Sequence, residues 1–192
     1  MDAAITFRPL EPSDGPLLRG LFDHLSPSSR YMRFLSPVQR PDQVHPERLL
    51  DIDHADREAV AALVDGELVG VARYARQEGC TAEFAVAVAD DWQRHGAGRA
   101  LLEQLAAAAR GHGVCRFTGL ALGENRPVLA LLRRVFPGVR VRLQDGLLDI
   151  EVDLEHGPGE ALGGERASPA PSDRDAWSEG VVSTSAAAAC TF

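Results

Sequence analysis

The 192-residue sequence contains no lysine; all 20 of its basic residues are arginine. That absence rules out the Walker phosphate loop, which needs Gly-Lys-Ser/Thr, and leaves the chain no lysine side chain of its own to modify. The arginines are outnumbered by 28 acids, giving a formal charge of −8 and an isoelectric point near 5.2. A nucleic-acid partner would require a basic face and is not expected, whereas a cationic substrate is attracted. No apolar run reaches the roughly 18 residues that a membrane span needs. The start, Met1-Asp2-Ala3-Ala4, lacks the basic residues and apolar stretch of a secretion signal. A cytoplasmic location without a membrane partner is therefore expected. Cysteine is scarce as well. Cys80, Cys115 and Cys190 are odd in number, far apart and in no Cys-x-x-Cys pair, which predicts lone thiols rather than a disulfide framework or zinc site. No metal is expected.

What the chain does contain, 45% hydrophobic and 25% charged residues, suits one well-buried globular domain. Ile5 to Leu10 reads as a strand. A helix follows, capped by Ser13 or Asp14, whose Leu17, Leu18, Leu21, Phe22 and Leu25 share a face. Ser26 to Phe34 reads as a second short helix, and Pro46 to Ile52 as a further turn or two. Ala59 to Val64 and Leu68 to Ala75 read as strands joined through Asp65-Gly66, a dipeptide suited to a tight hairpin. Glu78-Gly79 turns the chain again into a strand from Thr81 to Val88. From Gly98 to Arg110 the apolar residues Leu101, Leu102, Leu105 and Ala109 recur at helical spacing. Arg116 to Leu122 is a further strand, Pro127 to Phe136 a helix, and Val139 to Leu154 a last hairpin about Asp145-Gly146. The order is β-α-α-β-β-β-α-β-α-β-β, an α/β (α+β) domain over residues 1–154. Of the remaining 38 residues, 155–192, Gly, Pro, Ser and Ala supply 21. Such a stretch buries too little apolar surface to offset its ordering entropy, which predicts a disordered tail.

The most informative stretch runs from Gln93 to Arg99, Gln-Arg-His-Gly-Ala-Gly-Arg. It links an apolar strand to a helix start through two glycines. A helix start carries unpaired N–H groups and about half a positive charge, and glycine lets a diphosphate approach the backbone closely. The dinucleotide fingerprint fails, because its third glycine would fall at Leu101.

What does fit is Gln93-x-x-Gly96-x-Gly98 directly after the strand Phe84 to Val88. It resembles the central Gln/Arg-x-x-Gly-x-Gly/Ala motif of the GNAT superfamily of N-acetyltransferases, which binds the pyrophosphate of acetyl-coenzyme A. The element order over residues 5 to 154 is a second match. The resemblance implies a mixed, mostly antiparallel sheet of about seven strands flanked by helices, with acetyl-coenzyme A as acyl donor. It further implies that the amides from Arg94 through Arg99, including His95, Gly96, Ala97 and Gly98, wrap the diphosphate, with Gln93 orienting the loop. Main-chain groups of Val86 and Val88 would pair with the pantetheine arm, where the strand splays from its neighbour. Asn125 matches an asparagine that many members place near the cofactor, and it also reads as an ordinary helix cap.

Ala82-Glu83-Phe84-Ala85 and Ser29-Arg30-Tyr31-Met32-Arg33-Phe34 resemble a bacterial subgroup that acetylates protein lysines, including those of acyl-coenzyme A synthetases. In that subgroup the glutamate equivalent to Glu83 is the catalytic base. A carboxylate in an apolar strand holds its proton more tightly, which suits a base near neutral pH; otherwise Glu83 is a solvated residue paired with Arg73 or Arg116. Tyr31 and Arg33 either line the acceptor groove or anchor their helix. The family's usual tyrosine, which protonates the departing thiolate, is replaced by Leu132. The expected reaction is direct transfer of acetyl to a primary amine, preferentially a protein lysine. A small-molecule amine acetyltransferase and a non-catalytic acetyl-coenzyme A sensor are the alternatives.

Overall fold

The computed structural model describes residues 4–44 and 46–154. The predicted tail and Cys190 lie outside the described residues. Seven strands form one sheet: β1 (Thr6–Pro9), β2 (Arg57–Val64), β3 (Glu67–Arg76), β4 (Thr81–Val88), β5 (Arg116–Leu122), β6 (Arg140–Gln144) and β7 (Leu147–Asp153). Five helices accompany them: α1 (Gly15–Asp23), α2 (Pro27–Phe34), the single turn α3 (Pro46–Leu49), α4 (Ala97–Gly111) and α5 (Arg126–Val135). The sheet order is β1-β2-β3-β4-β5-β7-β6. Every pair is antiparallel except β4 with β5, the two strands that α4 joins as a crossover. The expected mixed, mostly antiparallel sheet is thus present.

Asp65-Gly66 and Asp145-Gly146 close their hairpins with positive φ at both residues, +49° and +87°, then +51° and +83°, as a type I′ turn requires. β2 is buried along almost its whole length. Val60, Ala62 and Val64 pack with Leu101, Leu102 and Leu105 of α4, while Ala59, Ala61 and Leu63 pack with Leu18 and Leu21 of α1. Helices therefore cover both faces of this part of the sheet.

Two expectations are corrected. Asp14 stands at the N-cap of α1 but makes no side-chain cap bond there. Its carboxylate instead accepts from both terminal nitrogens of Arg8, at 2.6 and 2.8 Å, and from the Glu11 N–H. A charged, forked donor on β1 outcompetes a neutral amide. Cys80 and Cys115 are not lone thiols; they form a disulfide with Cα atoms 5.2 Å apart. Each immediately precedes one of the two parallel strands, so the crossover brings them to the same end of the sheet.

Candidate active site

β4 and β5 pair over three residues only, Thr81 with Arg116, Ala82 with Phe117 and Glu83 with Thr118. β4 continues to Val88 alongside β3 alone, so a fork opens beyond Glu83. At its origin the strands are tightly packed: a β-carbon on Gly119 would sit 3.1 Å from the Phe84 ring. The Ala89 N–H donates to the Val69 carbonyl, which fixes the alternation along β4. Alternate residues bond to β3, and Val86 and Val88 aim their N–H and C=O groups the other way, into the fork.

Past β4, a 3₁₀ turn (Asp90–Trp92) leads into the loop and α4. Gly96 occupies the N-cap at φ +89°, with Arg94 also left-handed at +65°. The first ladder bond of α4 runs from the Ala100 N–H to Gly96 O at 3.1 Å. The N–H groups of Ala97, Gly98 and Arg99 precede that bond and have no intrahelical acceptor. The helix begins one residue earlier than its sequence spacing indicates. Gln93 Nε2 donates to Val88 O at 3.2 Å, Asp90 Oδ1 at 3.3 Å and Ser29 Oγ at 3.4 Å, tying the loop to the strand end and to α2. His95 is exposed, and its Nδ1 donates to Gln93 O at 2.9 Å. Arg99 pairs with Glu103 one turn along α4.

These residues border one cleft of about 840 Å³, within the range of small-molecule sites. It runs along Glu83 to Val88, past Gln93 to Gly96, Gly98 and Arg99, and on to Asn125 and one face of α5. Asn125 caps α5, accepting from the Val128 N–H at 3.2 Å, and also lines the cleft. From α2 the lining takes Ser28, Ser29, Met32 and Arg33. Tyr31 stands apart, 40% exposed and outside the lining. The helical turn that points Arg33 and Met32 inward carries Tyr31 outward.

Glu83 lies in the lining at the fork's origin and accepts from Gln77 Nε2 at 3.2 Å. Of its two anticipated partners, Arg116 is engaged by Glu151 and Asp153. Arg73 lies on β3, diagonal to Glu83 in the register that pairs Arg73 with Ala85 and Ala75 with Glu83. Burial holds the Arg73 guanidinium below the usual arginine range, and the charge of Glu83 opposes that effect. Arg73, named in the sequence only as a partner for Glu83, is thus a second charged group of the cleft wall, at an even separation from Glu83 across the hairpin. Leu132 is fully buried. Tyr74, also buried, donates to Ala55 O at 2.8 Å and faces His112 Nδ1 at 2.8 Å. Burial, then the charge of Glu58, pushes its hydroxyl up to about 12. Neither tyrosine of the chain stands in the cleft lining.

A turn of bare amides at a helix start, leading into a fork lined by main-chain groups, can hold a phosphate-bearing arm with a reactive end near Glu83. The chain is 36% identical over 128 residues to the Acetyltransferase PA5475 of Pseudomonas aeruginosa, covering 64% of this chain and 68% of that protein. It is 32% identical over 158 residues to the Acetyltransferase Pat of Mycolicibacterium smegmatis, covering 77% of this chain but only 45% of Pat. The solved GNAT domain of S. lividans PAT superposes with a TM-score of 0.71 at 30% identity, covering 77% of this chain and 89% of that domain. With the acetyltransferase (GNAT) family model matching residues 20–136, the chain belongs to that family and is an acetyl-coenzyme A-dependent acetyltransferase.

Proposed function

We propose that the chain acetylates a lysine side chain of another protein, with Glu83 as general base. The observation that carries this reading is the position of Glu83, the last β4 residue paired to β5, with its side chain in the cleft lining. A base must lie within reach of the amine while the donor's thioester is held beside it. In this reading the amides of Arg94 through Arg99 hold the donor's diphosphate, Gln93 fixes the loop, and Val86 and Val88 offer their main-chain groups to the pantetheine arm. In the same reading the Val88 N–H stabilises the oxyanion. Glu83 takes the proton of the acceptor ammonium through a water, and Arg33 walls the acceptor side. With Leu132 buried and no tyrosine in the lining, water rather than a tyrosine hydroxyl returns a proton to the leaving thiolate. The similarity to Pat and to the S. lividans PAT domain supports a protein acceptor, and the 192 residues contain no lysine that could serve as that acceptor.

The test is incubation of the full chain with labelled acetyl-coenzyme A and a bacterial extract, followed by separation of protein-bound from small-molecule label. Label on protein lysines is expected. Glu83→Gln is expected to keep coenzyme A affinity in calorimetry and to lose about 100- to 10,000-fold in transfer rate. Unchanged turnover in that variant removes Glu83 from the role of base. Label confined to small molecules assigns a free amine as acceptor, and coenzyme A binding without label in either pool identifies a sensor.

A further inference from the structure

The loop on the donor side of the cleft and the helix on its acceptor side meet at Asp90. The Asp90 N–H donates to the His24 carbonyl at 3.2 Å, at the end of α1. Its Oδ2 accepts from the Ser26 N–H at 3.3 Å, and its Oδ1 accepts from Gln93 Nε2 at 3.3 Å. Ser26 in turn caps α2 by accepting from the Ser29 N–H at 3.2 Å, and the Ser29 hydroxyl accepts from Gln93 Nε2. The ring therefore closes: Gln93, Asp90, Ser26, Ser29 and back to Gln93. One side of it is the first residue of the glycine motif; the other is the start of the helix that supplies Ser28, Ser29, Met32 and Arg33 to the cleft wall.

The Gln93 Nε2 group has two hydrogens and three acceptors, Val88 O, Asp90 Oδ1 and Ser29 Oγ. A shift of the loop redistributes those bonds, and the charged acceptor is the strongest of them. We propose that Asp90 is a positioning residue: through Gln93 it senses how the donor loop is held, and through Ser26 it sets the start of α2, so that seating the donor organises the acceptor wall. The inference rests on the reading that residues 93–99 take the donor's diphosphate. It implies that donor and amine bind cooperatively: because coupling between sites is reciprocal, each tightens the other.

Asp90→Asn separates the two links. An amide offers one acceptor oxygen, so whichever way it is turned it loses either the bond to Ser26 N–H or the bond to Gln93. The experiment is hydrogen exchange on the full chain with and without free coenzyme A, which occupies the donor site without turnover. In the wild type, coenzyme A is expected to slow exchange at residues 97–100 and also at 30–35, the latter by about five-fold, the low end of typical coupling between sites. In Asp90→Asn the protection at 97–100 remains and that at 30–35 falls below two-fold. Ser29→Ala, which cuts the ring on its other side while keeping the cap, is expected to weaken the protection at 30–35 and serves if Asp90→Asn fails to fold. Equal protection of 30–35 in wild type and variants overturns the proposal, as does a wild-type α2 that ignores coenzyme A while the loop responds. If coenzyme A protects neither segment and calorimetry registers no heat, the donor-loop reading itself falls, and the inference with it.

Discussion

Gly96 and Gly98 serve the same turn for different reasons. Gly96 has a φ of +89° and open space where a β-carbon would go, whereas a β-carbon on Gly98 would sit 3.1 Å from Leu131 Cδ2, the movable end of a side chain. Gly96→Ala is therefore expected to cost about 1–2 kcal/mol through backbone conformation alone, and Gly98→Ala to cost less by displacing Leu131; thermal melts of the two variants check the order. Asp14 supports a pH prediction. Arg8, first by hydrogen bonding and assisted by the Glu11 N–H, holds the Asp14 carboxyl below its ordinary value of 3.8. A group depressed in the folded state stabilises above its unfolded value, and that contribution disappears as pH falls through the folded one. Asp14→Asn should thus lower stability by about 1–3 kcal/mol at pH 7, with the gap to wild type closing below about pH 3.8 in denaturant titrations. The glycines were legible in the sequence because the missing β-carbon is a property of the residue itself. The partner of Asp14 was not, because it depends on where β1 places Arg8, and the orientation of Tyr31 was not, because it depends on which face of α2 meets the sheet.

At the level of elements, the strand and helix order was readable because apolar periodicity, Asp-Gly turns and helix stops acted together, and the two Asp-Gly hairpins formed where they were expected. The fork was not readable from periodicity, since Phe84 to Val88 alternates like any paired strand; it came from the family resemblance, and the three-residue β4–β5 ladder now gives it a physical origin. The disulfide was missed because the cysteines were counted along the chain, 35 residues apart, rather than placed on strands. Both precede parallel neighbours, and topology alone would have brought them together. Replacing Cys115 by Ser is expected to cost about 2–4 kcal/mol by releasing a loop of that length in the unfolded state. Hydrogen exchange should rise most at residues 81–83 and 116–118, whose ladder the bond adjoins; a uniform rise across the sheet would contradict this.

For the whole molecule, the described residues end on a strand edge that is tied down. Leu154 is 1% exposed and its N–H donates to Cys115 O at 2.8 Å, so the last described residue is anchored beside the disulfide. A chain ending at Leu154 is expected to melt within a few degrees of the full chain and to bind coenzyme A with similar affinity by calorimetry. No helix of the described residues is long and apolar enough to cross a membrane. Among the described residues the sheet consists of two antiparallel panels, β1 to β4 and β5 with β7 and β6, paired to each other only along the short β4–β5 seam. The ladder and the covalent clamp both sit at one end of that seam. The mouth therefore takes its width from the side chains that border it and not from strand pairing, while the carboxylate keeps to the bonded end.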